Sequence, residues 1–469
     1  MTIFGSRSEV DSKPLDINLK RLEITGSPEE LFRKISDGRD YSYVLESLVG
    51  PEKLAEYSFI GFDPTVIVKI QDGKGIIENN STGQQEILNV DDPVALIRSL
   101  VSRKVRTNLN YRFLGGAVGY FSYDAIRYWE KLPSRIQDVS KFPDIELAIY
   151  DDGLIVDHSL GSIFYYYSTR DRSSEIIESV KKSVSTPNLD HGEVICETKQ
   201  NDFEKDVEES KDLIADGDIF QVVLSKRYSF SLKGSTLPFY LKLRQLNPSP
   251  YMYYLKMGSR EIVGSSPEML VRVEGDQVRT FPIAGSRPVV KESDKNQRLA
   301  NELMADPKDR SEHVMLVDLA RNDLGRICEY GTVTVPELMK VHQFSHVQHM
   351  VSEVRGKLDN KSDSFEALKA VFPAGTVSGA PKVRAMEIIE EFEDVKRGPY
   401  AGAVGYFSTN GNSDFAITIR TMVVSEGRGY IQAGAGIVAD SVPEKEWLET
   451  EDKSRAMLDS LRLAAGDRR

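Results

Sequence analysis

Apolar and polar residues alternate along several short segments of the first 180 residues, which is the pattern of half-buried β-strands. Residues 65–70 and 162–167 are two such segments, and both are rich in the β-branched or aromatic residues that favour strands. A polar stretch over residues 181–200, which contains a Pro-Asn pair, ends this pattern. We therefore predict an N-terminal region, residues 1–180, and a second region, residues 201–469.

The second region combines helical and strand patterns without a regular alternation of the two. Asn201 is followed three positions later by a glutamate, which is a capping-box-like start for a helix. Asp306 and Pro307 indicate the start of another helix, because proline in the first helical position loses no needed hydrogen bond. Strands are predicted over residues 220–224 and 251–255. This mixture favours an α+β layered fold in which the two regions are intertwined.

One pentapeptide occurs twice in the chain. Ala-Val-Gly-Tyr-Phe stands at residues 117–121 and again at 403–407, each time preceded by glycine and followed by serine. Because five residues can match by chance in strand-rich sequence, the repeat is only a hint of duplicated sheets.

Charge and composition narrow the functional classes. The chain has 469 residues, with 60 basic and 72 acidic side chains and a formal net charge of −12. A general binder of nucleic-acid backbones would carry a basic surface, so that class is disfavoured. Cys196 and Cys328 form no CxxC pair, which argues against a disulfide framework and a thiolate zinc site. No run approaches the ~18 apolar residues of a membrane helix and no signal-peptide pattern is present, so we expect a cytoplasmic enzyme.

Three histidines, His342, His346 and His349, stand at spacings that would place them along a helix. A zinc site is one interpretation, but no carboxylate stands at the HExxH spacing of zinc peptidases. The plainer interpretation is a set of polar positions on a half-exposed helix. As a functional role, the pattern favours one histidine that acts as an acid, a base or a substrate orienter.

Residues 434–439 satisfy the GxGxxA spacing of dinucleotide-binding turns. That interpretation fails, because Pro443 follows and too little chain remains for the second strand and its acidic residue. We expect instead a glycine-rich turn that presents backbone N–H groups to an anion such as a carboxylate. Two further glycine-rich stretches, residues 282–287 and 373–382, do not match the P-loop spacing.

Glu446, Glu449 and Lys453 would share one face of a C-terminal helix. A solvated acidic stripe is the usual outcome of such a run, and the residues alone favour it. The functional alternative is a site for Mg²⁺ and an anionic substrate, to which Glu312 could add a second carboxylate source. Spacing cannot show whether the two helices meet. Arg420 is compatible with a small dicarboxylate bound through such an ion.

Six longer motifs stand in order along the chain. They are residues 218–225 (DIFQVVLS), 264–268 (GSSPE), 282–288 (PIAGSRP), 311–324 (SEHVMLVDLARNDL), 374–382 (AGTVSGAPK) and 432–436 (QAGAG). Together they resemble the large, chorismate-binding subunit of anthranilate synthase, from about Leu45 to the end of the last helix. The resemblance implies an α+β fold of two packed β-sheets with helices outside, which suits the repeated pentapeptide.

The resemblance also implies a lyase at the first committed step of tryptophan biosynthesis. Chorismate and ammonia would give anthranilate and pyruvate: ammonia adds at ring C2 as the C4 hydroxyl leaves, and pyruvate is then eliminated. Mg²⁺ would be the cofactor and L-tryptophan a feedback inhibitor. No glutaminase setting is present in this chain, so a separate glutamine amidotransferase subunit would supply ammonia within a hetero-oligomer. The N-terminal region would be regulatory or structural, and the second region catalytic.

The same resemblance implies roles for individual residues. The catalytic residues would be His349, Glu268 as general acid, Gln221 in place of the lysine base of water-using relatives, and Thr376. The substrate contacts would be Gly285, Ser286, Tyr400, Arg420, Gly434, Ala435 and Gly436, and the Mg²⁺ ligands Glu312, Glu446 and Glu449. The tryptophan contacts would be Ser47, Pro250, Tyr251 and Met252.

Two other functions stay open. Many aminodeoxychorismate synthases carry a lysine where this chain has Ala284, and its absence favours anthranilate as the product. A non-catalytic, tryptophan-sensing subunit could keep the fold, but the intact set of catalytic residues argues against it. The chain departs from the family pattern at Ser286, where threonine is commoner, and at Asp452, which replaces an asparagine and adds a charge near the expected metal site.

Overall fold

The computed structural model describes residues 14–48, 56–101, 105–107, 109–185, 187–290, 292–343 and 347–466. The helices are α1 (Pro28–Ile35), α2 (Pro93–Val101), α3 (Ser173–Lys181), α4 (Gln200–Ala215), α5 (Leu237–Leu246), α6 (Ser293–Ala305), α7 (Pro307–Gly325), α8 (Ser364–Val371), α9 (Gly375–Ser378), α10 (Lys382–Phe392) and α11 (Pro443–Ala464), with a 3₁₀ helix over Tyr123–Tyr128. The strands up to the middle of the chain are β1 (Leu15–Asp16), β2 (Asn18–Leu22), β3 (Tyr41–Glu46), β4 (Tyr57–Phe62), β5 (Val66–Gln71), β6 (Lys74–Asn79), β7 (Gln85–Asn89), β8 (Val105–Arg106), β9 (Gly116–Phe121), β10 (Ile145–Tyr150), β11 (Asp152–Asp157), β12 (Ser162–Tyr167), β13 (Leu189–His191) and β14 (Ile195–Cys196). Those that follow are β15 (Gln221–Gly234), β16 (Tyr251–Met257), β17 (Arg260–Ser266), β18 (Met269–Glu274), β19 (Gln277–Thr280), β20 (Ile283–Pro288), β21 (Thr334–Gln343), β22 (Val347–Lys357), β23 (Gly379–Ala380), β24 (Ala403–Ser408), β25 (Ser413–Ile417), β26 (Thr421–Ser425) and β27 (Arg428–Ile437).

Strands β1 and β8 pair with each other, and the other strands form two large sheets. Sheet I has the order β20-β22-β19-β18-β25-β24-β9-β10-β5-β6-β7, with β21 paired to β22. Sheet II has the order β13-β15-β27-β26-β17-β16-β3-β4-β11-β12-β2, with β14 and β23 paired to β15. Both sheets take strands from the first 180 residues and from the rest of the chain, so neither part completes a sheet alone.

The two sheets pack face to face over a core that is rich in tyrosine. Tyr43 of sheet II meets Tyr150 of sheet I edge to face, with 4.8 Å between the ring centroids. Phe59 and Tyr406 make a similar contact across the interface at 6.0 Å. Aromatic pairs in this geometry add to the free energy gained from burial alone. The interface between the sheets is therefore the centre of the fold.

Helices cover the outer face of each sheet. Leucine, isoleucine, valine and phenylalanine side chains of α2, α7 and α8 pack on sheet I, and those of α1, α5 and α11 pack on sheet II. The two packed sheets with helices outside confirm the fold class expected from the resemblance. Every helix in the described ranges is too short or too polar to span a bilayer.

The repeated pentapeptide forms neighbouring strands. Residues 117–121 lie in β9 and residues 403–407 in β24, and the strands pair antiparallel so that Gly119 faces Gly405. A Cβ atom added at Gly405 would lie 2.0 Å from the Asp414 carbonyl oxygen. Glycine at this point of the repeat is therefore a condition for close strand packing.

Several predicted elements are present, and the structure shifts the start of one of them. The strands predicted over 65–70, 162–167 and 251–255 are β5, β12 and β16. The helix predicted from Asn201 is α4, but its N-cap is Lys199, so the predicted capping box is not formed there. At α7 the Asp306 carboxylate accepts hydrogen bonds from the first backbone N–H groups of the helix, as expected.

The predicted histidine helix is wrong. His342 and His349 face each other in β21 and β22, two strands of an antiparallel hairpin, while His346 lies outside the described residues. Strand β22 is also paired with β19 and β20 on its other side. Tertiary strand pairing therefore prevails over a helical spacing, and the zinc interpretation loses its geometric basis. Cys196 and Cys328 are unpaired, as expected.

The predicted glycine-rich turn is also wrong. Residues 434–436 lie within β27, where Gly434 pairs with Ser225 and Gly436 with Val223 of β15. On the other edge of β27, the described pairing with β26 covers only residues 428–431, so residues 434–436 are paired with β15 alone. The turn is therefore not formed, whereas the expected contact of these backbone N–H groups with an anion stays a prediction.

Candidate active site

The glycines of β27 make room for two functional side chains. A Cβ atom added at Gly436 would lie 2.6 Å from Nε2 of Gln221, the first residue of β15. A Cβ atom added at Gly434 would lie 2.8 Å from the hydroxyl oxygen of Tyr400. Both distances are shorter than van der Waals contact, so any larger residue would displace Gln221 or Tyr400. These glycines form a stretch of one face of β27 without side chains, beside Gln221 and Tyr400, which we call the hollow.

Two helices bring carboxylates to this hollow. Gln221 Nε2 donates a hydrogen bond to Glu312 Oε1 of α7 at 3.2 Å. Burial raises the pKa of Glu312, and the neighbouring charge of Glu449 on α11 raises it further. Burial and the same Glu449 charge raise the pKa of Glu446. The carboxylates of the two helices are therefore close enough for the charge of one to act on the other.

Lys453 joins α11 to the glycine strand. Its ammonium group pairs with Glu449 at 2.7 Å and donates to the Gly434 carbonyl oxygen at 2.9 Å. Sequence analysis placed Lys453 on the face of the acidic residues but gave it no role in the site. Its spacing of four residues from Glu449 was the signal that could have found it. Asp452, by contrast, is exposed and pairs with Arg455, one helical turn along the surface.

The carboxylates of this site are suitable ligands for a hard divalent cation. Glu312, Glu446 and Glu449 offer oxygen donors and repel one another, and a cation would relieve that repulsion. In the described ranges, no three side chains of metal-ligating type converge on one point. Mg²⁺ commonly takes one or two carboxylates and completes its shell with water and substrate oxygens. The predicted Mg²⁺ site is thus compatible with these residues and stays a prediction.

His349 is held in a defined tautomer. Its Nδ1 lies 2.9 Å from the Gly285 carbonyl oxygen, which can only accept, so Nδ1 carries the hydrogen. Gly285 has φ = 65° and lies at an irregularity in the pairing of β20 with β22, beside Ser286. This left-handed backbone, which favours glycine, turns the carbonyl toward the imidazole. Burial lowers the pKa of His349 and the charge of Arg420 lowers it further, so the ring is neutral with Nε2 as its basic nitrogen.

Arg420 stands near His349 with its charge uncompensated. Its backbone has φ = 50°, an uncommon conformation for a residue other than glycine. Burial lowers the pKa of Arg420, and no described carboxylate lies close enough to form an ion pair with it. Arg420 is half-buried, and a cation that has lost part of its hydration is costly unless an anionic ligand completes it. Arg420 therefore indicates a carboxylate or phosphate of a ligand.

Glu268 is a buried acid at the end of the turn into β18. Burial raises the pKa of Glu268 to about 8, although the Thr376 hydroxyl and the charge of Lys453 both act to lower it. Its backbone carbonyl accepts a hydrogen bond from Ile417 N–H at 3.1 Å, which ties it to the end of β25. The carboxyl is therefore protonated at neutral pH and can donate a proton.

A second cavity lies between the two sheets. Ser47, Pro250, Tyr251 and Met252, the four predicted tryptophan contacts, all line it. The cavity volume is about 50 Å³, enough for one or two water molecules, so a larger guest would require side chains to move. The Ser47 hydroxyl is buried and has no hydrogen-bond partner among the described residues. The four residues therefore line one cavity, and tryptophan binding there stays a prediction.

The second cavity has polar walls that sequence analysis missed. Asp414 of β25 lines it and accepts a hydrogen bond from the Tyr251 hydroxyl at 2.9 Å. Arg272 of β18 pairs with the same carboxylate at 2.7 Å. These residues are separated from Ser47 by more than two hundred positions in the chain, and no local pattern marks them. Only the pairing of β18 with β25 places them here.

Comparisons with known proteins identify the family of this chain. The family model for chorismate binding enzymes matches residues 43–459. Anthranilate synthase component 1 of Methanothermobacter thermautotrophicus is 48% identical over 437 residues, which cover 93% of this chain and 92% of that protein. The crystal structure of anthranilate synthase component I from Streptococcus pneumoniae superposes with a TM-score of 0.78 at 36% identity, over 87% of this chain and 93% of that chain.

A more distant structure shares the fold alone. The menaquinone-specific isochorismate synthase from Escherichia coli has a TM-score of 0.71 at 19% identity, over 97% of each chain. The fold is thus common to proteins whose printed names differ, whereas the high identities are to anthranilate synthase component 1. This chain therefore belongs to the chorismate-binding enzyme family, in the group of the anthranilate synthase component 1 proteins.

Proposed function

We propose that this chain converts chorismate and ammonia into anthranilate and pyruvate. The observation that carries the proposal is that the site elements hold both a protonated acid, Glu268, and a cation, Arg420, that no described carboxylate pairs. The Arg420 carbonyl oxygen accepts from the N–H group of Ser265, three residues before Glu268. The acid suits departure of a hydroxyl group, and the cation suits a carboxylate substrate. The names of the relatives at 36–48% identity support the same reaction.

Each residue has a defined task in this proposal. Arg420 binds a substrate carboxylate and orients the ring. Glu268 gives its proton to the C4 hydroxyl, which leaves as water while ammonia adds at C2. Gln221, a neutral amide, leaves ammonia as the nucleophile because it cannot activate water as a base. In the elimination, His349 Nε2 accepts the ring proton as the ether C–O bond breaks, and the group that departs as enolpyruvate takes up a proton on carbon to become pyruvate.

We also propose Mg²⁺ as a cofactor, which Glu312, Glu446 and Glu449 would hold. When bound, it would act as a Lewis acid on the ring carboxylate. The hydrogen bond from Gln221 keeps Glu312 oriented, and Lys453 keeps Glu449 close to the glycine strand. These contacts hold the carboxylates in place before the ion and the substrate arrive.

Ammonia must reach this site from another source. Burial raises the pKa of the Cys196 thiol and raises that of Cys328 to about 11, so neither is an activated nucleophile for glutamine hydrolysis. We therefore propose a separate glutamine amidotransferase subunit as partner. We also propose L-tryptophan as an inhibitor that binds in the second cavity.

The test uses the purified chain with chorismate, Mg²⁺ and an ammonium salt, followed by anthranilate fluorescence with and without L-tryptophan. We expect anthranilate without any partner and less of it with tryptophan. Arg420→Gln should abolish turnover, whereas Arg428→Gln, at the exposed start of β27, should not. Chorismate consumed without anthranilate would favour aminodeoxychorismate synthesis instead. Chorismate left unchanged under all these conditions would contradict the proposed catalysis.

A further inference from the structure

A buried serine connects three elements of the candidate active site. Ser352 of β22 lies three residues after His349 and has no exposed surface. Its N–H group donates to the Pro282 carbonyl oxygen at 3.1 Å, just before β20. Its hydroxyl accepts from the Met339 N–H group of β21 at 2.8 Å and lies 2.6 Å from His313 Nε2 of α7.

The Ser352 hydroxyl takes part in two hydrogen bonds at once. The Ser352 oxygen accepts from Met339 N–H and shares a second hydrogen bond with His313 Nε2, whose donor is set by the imidazole tautomer. His313 is fully buried, so water does not replace this bond if it is lost. Met339 has φ = 54° and lies next to an irregularity in the pairing of β21 with β22. Such backbone strain persists only where surrounding contacts hold it.

The pair controls the orientation of the helix that carries Glu312. His313 follows Glu312 directly in α7. Because a helix is stiff over one residue, any rotation of α7 about its axis that moves His313 also moves Glu312. On the sheet side, the bond from Ser352 to Pro282 sets the start of β20. The Gly285 carbonyl of β20 in turn holds His349. Hydrogen bonds of Ser352 therefore link the helix that carries Glu312 to the strand whose carbonyl holds His349.

We propose that the His313–Ser352 pair is a positioning device, which holds α7 on β22 so that Glu312 and His349 keep the separation that the reaction needs. The inference rests on the proposed function. Neither residue has exposed surface that a substrate could touch, so both are positioning residues. Removal of the bond would change alignment of the carboxylate without removing any group that contacts substrate.

Three variants test the pair. Ser352→Ala removes the hydroxyl, Ser352→Thr keeps it, and Ser58→Ala is the matched control, because Ser58 is also fully buried with its Oγ 2.8 Å from Nε2 of His158. The measurements are kcat, KM for chorismate, the dissociation constant of Mg²⁺ by calorimetry, and the melting temperature. We expect Ser352→Ala to lower kcat and weaken Mg²⁺ binding, each by about tenfold or more. Ser352→Thr should restore most of both.

The control separates alignment from stability. Ser58→Ala should lower the melting temperature less than Ser352→Ala does, because His158 is exposed and water can replace its bond, and should leave kcat and Mg²⁺ binding unchanged. Wild-type kcat and Mg²⁺ binding in a folded Ser352→Ala variant would overturn the proposal. If Ser352→Ala does not fold, His313→Gln takes its place, with the same expectations. If the wild type forms no anthranilate, the proposed function fails, and calorimetry of Mg²⁺ still decides whether the pair positions Glu312.

Discussion

The candidate active site and the second cavity differ in how their charges are balanced. In the candidate active site, Arg420 has no carboxylate partner in the described part of the chain, and Glu312 and Glu449 repel each other. In the second cavity, Asp414 is paired with Arg272 at 2.7 Å and accepts from the Tyr251 hydroxyl. The first site therefore needs a ligand to complete its electrostatics, whereas the second is satisfied without one.

This difference indicates what each site can do. Uncompensated charges and shifted pKa values are typical of groups that act on a substrate. A cavity whose charges are already paired can bind a guest through shape and a few hydrogen bonds, at the cost of side-chain movement. The two are also connected, because β25 begins near Asp414 of the second cavity and its last residue, Ile417, donates to the Glu268 carbonyl oxygen at 3.1 Å.

The largest effect should follow loss of a charge in the candidate active site. Glu449→Gln should abolish chorismate turnover, with a fall in kcat on the order of 10³ or more, because it removes a proposed Mg²⁺ ligand. The fold should persist, as measured by the melting temperature. Asp452→Asn, an exposed position on the same helix, should have wild-type activity. Retained turnover in Glu449→Gln would contradict the metal assignment.

Glu268→Gln should lower kcat by about 10²–10⁴, the usual contribution of a general acid. In the wild type, activity should be present below pH 8 and lost above it, since the acid must be protonated and burial raises its pKa to about 8. The carboxyl titrates near 4.5 when exposed, so wild-type folding stability should also fall between these pH values. Glu268→Gln should lack that fall.

These two profiles are measured by initial rates and by denaturant unfolding across the pH range. Glu426→Gln, an exposed carboxylate that pairs with Lys141, is the control and should resemble the wild type in both measurements near and above neutral pH. A wild-type rate that stays constant well above pH 8 would remove Glu268 from the role of acid.

Gly436→Ala should have an intermediate effect. The added Cβ would lie 2.6 Å from Gln221 Nε2 and would push this amide away from Glu312. We expect kcat/KM to fall by about tenfold to a hundredfold, which is the usual cost of losing a group that orients a metal ligand. Gly325→Ala is a matched control at the end of α7, where an added Cβ meets nothing within 4 Å. Equal kinetics in the two variants would show that the hollow tolerates a methyl group.

Ser47→Phe should change catalysis least. The larger side chain would fill the second cavity, so L-tryptophan should no longer inhibit, while kcat in its absence stays near the wild-type value. Overpacking should reduce stability by about 1–3 kcal/mol. Ser47→Ala, which removes only the hydroxyl, should weaken inhibition less. Anthranilate formation is measured against tryptophan concentration, and unchanged inhibition in Ser47→Phe would exclude this cavity as the inhibitor site.

Local patterns succeeded where the local environment decides the structure. The start of α7 at Asp306 and Pro307 was predictable, because capping uses atoms within three residues. The same approach failed at His342 and His349, since strands and helices both allow such spacings and the pairing partners lie elsewhere in the chain. It failed also at residues 434–436, which look like a turn and form part of a central strand.

The amino-acid sequence by itself determined the mixed fold class, the family and the identity of the residues now found around the hollow, because the motifs are long and ordered. The tertiary structure alone decided that the charge of Glu449 acts on Glu312, that no described carboxylate pairs with Arg420, and that Asp414 joins Tyr251 at the second cavity. The physical reason is distance along the chain. Pairing of strands that are far apart in sequence sets which charges are buried together, and burial sets their pKa values.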